Sequence, residues 1–488
     1  MIVGISLFLG CLFDFLIYGK FPGLAFPVYV ALIIMGLLGI TWLYGRTTTS
    51  SVLWLLVPVF FFAAMVSVRA SFLLTALNLI AVFLLLLLIA QVAFSEPLQT
   101  YRIKDYFRLA LVPFMYIVSL FKTLGDLVTL RGVKADKRTM AQVATGIVIT
   151  IPLLVVFSLL FASADLVFQR ALSQIVSFSI GPEFVFRTIL IFFAMLGFTG
   201  AYSFVFRKSE PGVGFPGAVP IAKKTGGFGR IEGSILLGSV NALFGAFILV
   251  QITYLFGGLG NISGQGFTYA QYARRGFFEL VAVAVITLAM LLLIERFTPK
   301  NMTGHSGLFR SLSTLLVVQV MVIMASSLTR MSFYENAYGF TELRLYVHVF
   351  IFFIAAVYVA LLYKIHIDNR EDTFTFKVFL LVVAFLAFMN AVNPDAYIAR
   401  QNMQRFRQTG KIDAGYLGGL SDDALPVTIS LLKSKDASVR EEYASRLRDR
   451  VRVERGPLFS RWQSLNLSRV RAKELMQESD QEMKNLLR

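Results

Sequence analysis

The stretch ASFLLTALNLIAVFLLLLLIAQVAF, Ala70 to Phe94, contains no charged residue. As an α-helix it rises about 1.5 Å per residue, enough to cross the roughly 30 Å hydrocarbon core of a bilayer. Outward from it, apolar runs of spanning length recur at 2–18, 24–45, 51–68, 139–161, 183–206, 233–256, 276–296, 308–330, 342–363 and 374–393. With 70–94 these predict an all-α, polytopic transmembrane bundle of about eleven helices. Two further apolar segments are too short to span. RLALVPFMYIVSLFKTL from Arg108 has basic ends, and DLVFQRALSQIVSF from Asp165 is amphipathic, so both are expected at the interface. If the first of them crosses, every later loop changes side.

Composition agrees. The chain of 488 residues is 57% hydrophobic and 15% charged, with 47 Phe and mean hydropathy +0.70; soluble domains carry about a quarter charged residues. A net charge of +17 in a soluble chain would point to nucleic acid. Here no compact basic module is visible, and basic loops instead orient the helices and meet anionic lipid head groups. Cys11 is the single cysteine, so internal disulfides and Cys-based metal sites are excluded.

The loops divide by charge. Those at 95–138, 207–232, 295–311 and 364–377 carry nineteen Lys/Arg, and the alternate loops, counting Arg330 and Arg344, carry five. Positive loops stay inside, so the first set is cytoplasmic. An odd helix count then sends the C-terminal tail outward, although it holds eighteen Lys/Arg from Arg400 on; long domains translocate largely regardless of charge. The organisation expected is a four-helix membrane segment (1–94), a basic cytoplasmic loop with an interfacial helix (95–138), a seven-helix core (139–393) and a small helical extramembrane domain (394–488). NPD at Asn393 caps a tail helix with Pro in its first turn, and Ser438 with Glu441 has capping-box spacing.

Several motifs tempt and fail. GVGFPG (Gly212–Gly217) has dinucleotide-fingerprint letters, but a membrane helix precedes it and Pro216 interrupts it. GAVPIAKKT (Gly217–Thr225) puts Ala222 where a phosphate loop needs glycine. EEYASR (Glu441–Arg446) resembles an intramembrane protease motif but falls in the charged tail, where Glu442 and Arg446 form an i,i+4 pair. His305, His348 and His366 lack metal-site spacing, and no cofactor is expected. Ser234, Gly238, Ala242 and Ala246 recur every four residues as a helix-packing stripe, a pore lining being the alternative. Asn241 and Gln251 need partners in lipid.

Charge gathers elsewhere. In TYAQYARRGFFELVAV, from Thr268, residues Tyr269, Tyr272, Arg275 and Glu279 share one helical stripe at the mouth of an apolar run. An aromatic and ionic collar that fixes helix depth accounts for them. On the topology above this stretch shares one face with SADLVF (Ser163–Phe168), RMSFYENAYGFTELRLY (Arg330–Tyr346) and NPDAYIARQN (Asn393–Asn402). The sharper reading is a common polar vestibule under the tail, formed by Asp165, Arg274, Arg275, Glu279, Arg330, Glu335, Glu342, Arg344, His348 and Asp395.

TYAQYARRGFFEL and NPDAYIARQN, the latter followed by DAGYLGGLSDDALP, carry a resemblance. The chain resembles the bacterial membrane family catalogued as domain of unknown function 4173, with its relative 4153, from about the fourth helix to WQSLNLSRVRA at Trp462. The resemblance implies a bacterial cytoplasmic membrane protein and brings no assigned activity and no catalytic residue. Three functions stay open. The first is a non-enzymatic envelope protein that displays its tail to a protein partner, for sensing or for assembly. The second is a transporter or channel for an anionic or lipid substrate, with Arg187, Arg275 and Arg344 along the route. The third is a lipid-linked transferase, against which the first outer loop, GKFPG, offers no acid.

Overall fold

The computed structural model describes residues 2–45, 47–93, 97–107, 182–207, 230–255, 277–297, 307–454 and 461–479, with scattered positions in 109–120 and 481–486. Among the described residues every regular element is helical. The bundle comprises α1 (Ile2–Leu16), α2 (Ala25–Leu43), α3 (Ser50–Val68), α4 (Phe72–Val92), a short α5 (Ile103–Phe107), α6 (Pro182–Arg207), α7 (Arg230–Leu255), α8 (Phe277–Phe297), α9 (Gly307–Tyr338), α10 (Glu342–His366) and α11 (Glu371–Val392). Seven described helices are long and apolar enough to span a membrane: α2, α3, α4, most of α6 and α9, α10 and α11. Shorter apolar stretches lie in α1, α7 and α8. The predicted run 139–161 and the segment from Asp165 lie outside the described residues, and the segment from Arg108 is described only at scattered positions. The count of eleven is thus an extrapolation beyond the seven spans seen.

These helices bury apolar side chains inward and also expose them outward, Val57, Phe72, Ile286 and Phe352 among them. A helix apolar all round belongs in lipid; the chain is a membrane-embedded protein. Lipid supplies no hydrophobic drive between helices, so close contact and polar pins hold them together. α1 lies so near α6 that a Cβ on Gly10 would come within 2.7 Å of the Ile191 carbonyl oxygen. Asn78 of α4 and Asn390 of α11 exchange amide hydrogen bonds of 2.8 Å in both directions, fully buried. In α7, Asn241 Nδ2 donates to the Leu312 carbonyl of α9 (3.1 Å), and Gln319 Nε2 of α9 donates back to the Asn241 carbonyl (3.1 Å).

The last contact shows which face of α7 packs. Leu237 and Asn241 are buried and Gly245 faces Gln319, whereas Ala242 and Ala246 are exposed and a Cβ on Gly238 would meet nothing within 4 Å. The close approach thus runs one position over from the expected Ser234, Gly238, Ala242, Ala246 stripe, because Asn241 must find polar partners and turns its own face inward.

The tail continues from α11 through α12 (Pro394–Thr409), α13 (Ala414–Gly419), α14 (Leu425–Thr428), a 3-10 turn (Ile429–Lys433), α15 (Ala437–Glu454) and α16 (Leu467–Glu478). The α11–α12 corner is Asn393, at φ 55°, whose side chain accepts from Ala396 N at 3.5 Å. Asparagine tolerates this left-handed conformation better than most residues, so it ends one helix and caps the next. Asp413 and Asn466 cap α13 and α16. At α15, Asp436 rather than Ser438 accepts the first-turn amide, Ser438 N, at 2.9 Å. The tail's core of Ile398, Leu417, Leu425, Leu431, Tyr443 and Leu447 also takes in Leu345 of α10. Apolar packing therefore runs unbroken from bundle to tail.

Candidate functional site

The tail meets the bundle at four chain turns. At the α1–α2 turn, Phe21 N donates to Ser464 Oγ (3.0 Å) and Leu24 N to the Leu465 carbonyl (2.9 Å). At the α3–α4 turn, Asn466 Nδ2 donates to the carbonyls of Val66 (3.1 Å) and Arg69 (2.9 Å). At the α9–α10 turn, Asn402 pairs with both backbone groups of Phe340, at 2.9 and 2.8 Å. The fourth is the Asn393 corner. All four therefore lie at the same end of the bundle. At the opposite end, Lys364 pairs with Glu295 (2.9 Å) and His366 contacts Thr314 (2.8 Å).

At the centre of the junction lies Asp423, its side chain fully buried. One oxygen accepts from the amides of Ala70 (2.6 Å) and Ser71 (3.1 Å). The other accepts from Ser468 Oγ (2.6 Å) and Asn393 Nδ2 (3.3 Å), with the Arg69 guanidinium 3.8 Å away. Both oxygens of this buried carboxylate are thus met by fixed donors from the bundle and the tail. Arg69 Nε in turn donates to the Asn390 carbonyl (2.9 Å), tying the grip to the Asn78–Asn390 pin. The adjacent Asp422, also buried, faces Arg450 (3.5 Å) and Arg469 (4.0 Å).

A second carboxylate behaves differently. Asp395, at the start of α12, is 0% exposed. Its Oδ2 accepts from Ser421 N (3.2 Å), while Oδ1 finds no N–H or hydroxyl donor. The hydrogen bond beside it comes from the Glu342 side chain at the start of α10. Two carboxyl groups can share a hydrogen bond only if one keeps its proton. Burial pushes the Asp395 carboxyl above its usual range; the bonds from Ser421 and Glu342 oppose this, and the Asp423 charge adds to it. Glu342 N donates to Tyr416 Oη (2.9 Å), and burial pushes that phenol up to about 12.

A third group joins α9 to α10. Glu335, buried, places Oε2 3.4 Å from His348 Nδ1. The Arg344 guanidinium lies 4.0 Å over the Tyr334 ring and donates to the Gly339 carbonyl. Arg330 is buried on the same helix as Glu335. Of the ten residues expected to share a face, then, Glu342 pairs with Asp395, Glu335 with His348, and Arg344 stacks between them in sequence. Asp165, Arg274 and Arg275 lie outside the described residues, as does the side chain of Glu279. Arg187 pairs with Glu183 (2.9 Å) and Asp14 (3.5 Å) at the α1–α6 contact. Glu441 and Glu442 are exposed on α15, in the tail.

Sequence reasoning missed Asp422, Asp423, Arg69 and the Asn78–Asn390 pair as functional positions. Two signals were available: acids in tandem in SDDALP, and an amide side chain deep within each of two apolar runs. No group of three or more His, Cys, Asp or Glu among the described residues is arranged to hold a metal ion.

A lipid-embedded helical bundle with a polar tail locked across one end defines a polytopic membrane protein of unassigned activity. The chain belongs to the family described as Domain of unknown function (DUF4153), whose model matches residues 56–431, most of its length. Of the two related families named from the sequence, this is the one shown; membership of the 4173 family is not. No curated protein and no solved structure matches the chain.

Proposed function

We propose that the chain is a non-enzymatic protein of the bacterial cytoplasmic membrane that holds its tail as a rigid extracytoplasmic cap, displayed to a protein partner for sensing or assembly. The observation that carries this reading is the Asp423 grip. A carboxylate buried among the backbone amides of a bundle turn, a tail serine and the corner asparagine fixes the tail's position rather than leaving it on a tether. The exposed face of α15, with Arg440 half-buried and Glu441, Glu442, Arg446 and Arg448 exposed, is then the surface on offer.

Eleven crossings are supported by direction. α4 starts at the tail end of the bundle and so finishes away from it, and α6 starts at the tail end again, where Arg187 meets Asp14. On this reading an odd number of passages falls between them, and the apolar run 139–161 is, by length and composition of its sequence, a candidate for one. The extracytoplasmic side for the tail follows from the basic loops at the other end.

A transporter for an anionic or lipid substrate is the second reading. Glu335 and His348 favour it, since ionisable side chains within candidate spans commonly mark a transport route. Sealed liposomes containing the purified protein decide between the two. A display protein leaves imposed proton and anion gradients to decay as in empty vesicles. Faster decay, removed by Glu335→Gln, would establish transport and overturn the display reading.

A further inference from the structure

Among the described residues of the tail, the large apolar side chains left exposed fall in one short stretch: Trp462 (49%), Leu465 (44%), Leu467 (61%) and Val470 (39%). That stretch is not at the tail's outer end. Gln463 Nε2 donates to the Phe15 carbonyl of α1 (3.4 Å), Leu465 accepts from Leu24 at the start of α2 (2.9 Å), and Ser468 Oγ donates to the Val68 carbonyl closing α3 (2.9 Å). These three helix ends mark the level at which the apolar bundle stops. Beside the contacts, Phe15, Leu24, Val28 and Phe72 are themselves exposed on the bundle. The lipid-facing surface thus continues onto the tail.

Cations gather at the same level. Lys20 Nζ donates to the carbonyls of Asp14, Phe15 and Tyr18 at the end of α1. Arg461 stands beside it, exposed, and Arg187 is close by. Arg469 lies 4.1 Å over the Phe21 ring. Burial and the Arg461 charge push the Lys20 amine below its usual range, a crowding that Asp14 only partly relieves. An anion seated between Lys20 and Arg461 would offset the repulsion between their two charges. Trp with Leu on one side and Arg or Lys at the head-group level is the composition of an element that lies in the membrane interface.

We propose that segment 461–470 rests in the bilayer interface, with Trp462, Leu465 and Leu467 seated among head groups and upper acyl chains, and that Lys20 and Arg461 bind the phosphate of an anionic phospholipid there. The bound lipid is part of what holds the tail flat on the bundle. This holds whichever side the tail occupies and whether or not it has a protein partner, so it can fail without the proposed function failing.

Trp462 is one of three tryptophans, so Trp42→Phe with Trp54→Phe makes it the sole reporter in the full-length protein. The protein is placed in phosphatidylcholine nanodiscs, with or without phosphatidylglycerol. The expected result is quenching of Trp462 by brominated acyl chains, protection from aqueous iodide, and a further blue shift with phosphatidylglycerol. Lys20→Gln and Arg461→Gln are each expected to weaken the phosphatidylglycerol response about fivefold and to leave quenching by brominated chains in place. Should the tryptophan variants not fold, Leu467→Cys in a Cys11→Ser chain, carrying a polarity-sensitive label, gives the same reading. Iodide quenching without brominated-chain quenching would place the patch in water and overturn the proposal in favour of a protein-facing surface. Brominated-chain quenching indifferent to phosphatidylglycerol would overturn the head-group site.

Discussion

At Asp423 the geometry makes a demand that substitution can test. Asp423→Ala leaves the half-buried amide of Ala70 and the buried amide of Ser71 without an acceptor, at roughly 1–3 kcal/mol each. Undocking of the tail, followed by pulse proteolysis in nanodiscs, is expected to become easier by about 3 kcal/mol; unchanged proteolysis would remove Asp423 from the centre of the junction. The Asp395–Glu342 pair makes the opposite kind of demand. The pair holds its shared proton more tightly folded than unfolded, because burial pushes the Asp395 carboxyl up. Its contribution to docking is therefore complete below the ordinary carboxylate value of about 4 and is lost as pH rises through its higher folded value. The groups around the pair are Arg344 and Tyr346 from α10, Tyr416 and Asp423 from the tail, and Ser71 from the α3–α4 turn. Docking measured against pH should weaken upward through that window in the native chain. Asp395→Asn and Glu342→Gln, which keep a hydrogen bond without a titrating proton, should flatten the profile. A profile unchanged in both variants would mean that no proton is held there.

The helices obey simpler rules, and their tests are correspondingly local. Asn78 and Asn390 satisfy each other across α4 and α11. Replacing either with Ala is expected to cost about 1 kcal/mol, and replacing both little more than one, as coupled partners in lipid do. Additive losses in thermal unfolding would show that the amides act independently. Asn393→Ala places an alanine at φ 55° and removes the cap on α12, a loss of about 1–2 kcal/mol; Asn393→Gly relieves the backbone part only. At this scale the sequence was readable, because an uncharged apolar run of spanning length is at home in few places besides a bilayer. The Asn-Pro corner was readable too, from its own two residues. The packing face of α7 was not. Ser234, Gly238, Ala242 and Ala246 have the right size and spacing, yet the decision lies with Asn241 and its partner Gln319, 78 positions away.

Across the whole molecule, the same separation explains what the sequence concealed at the site. Asp423 is held by an amide 353 positions earlier and Asn466 by a carbonyl 400 positions earlier, so nothing local to either residue distinguishes it from a surface Asp or Asn. Charge beside aromatics at the ends of apolar runs singled out Glu335, Glu342, Arg344, His348 and Asp395, which lie at the end of the bundle where the tail docks. It could not say that these residues form pairs, because pairing depends on how α9, α10 and α12 are set against one another. The side of the membrane rests on loop charge alone and is the claim on which the display reading stands or falls. In a chain with Cys11→Ser, the exposed Lys435 can be changed to Cys and offered a membrane-impermeant thiol reagent in intact spheroplasts and in inverted vesicles. An extracytoplasmic cap predicts labelling in spheroplasts and protection in inverted vesicles; labelling only in inverted vesicles would put the cap in the cytoplasm and contradict it.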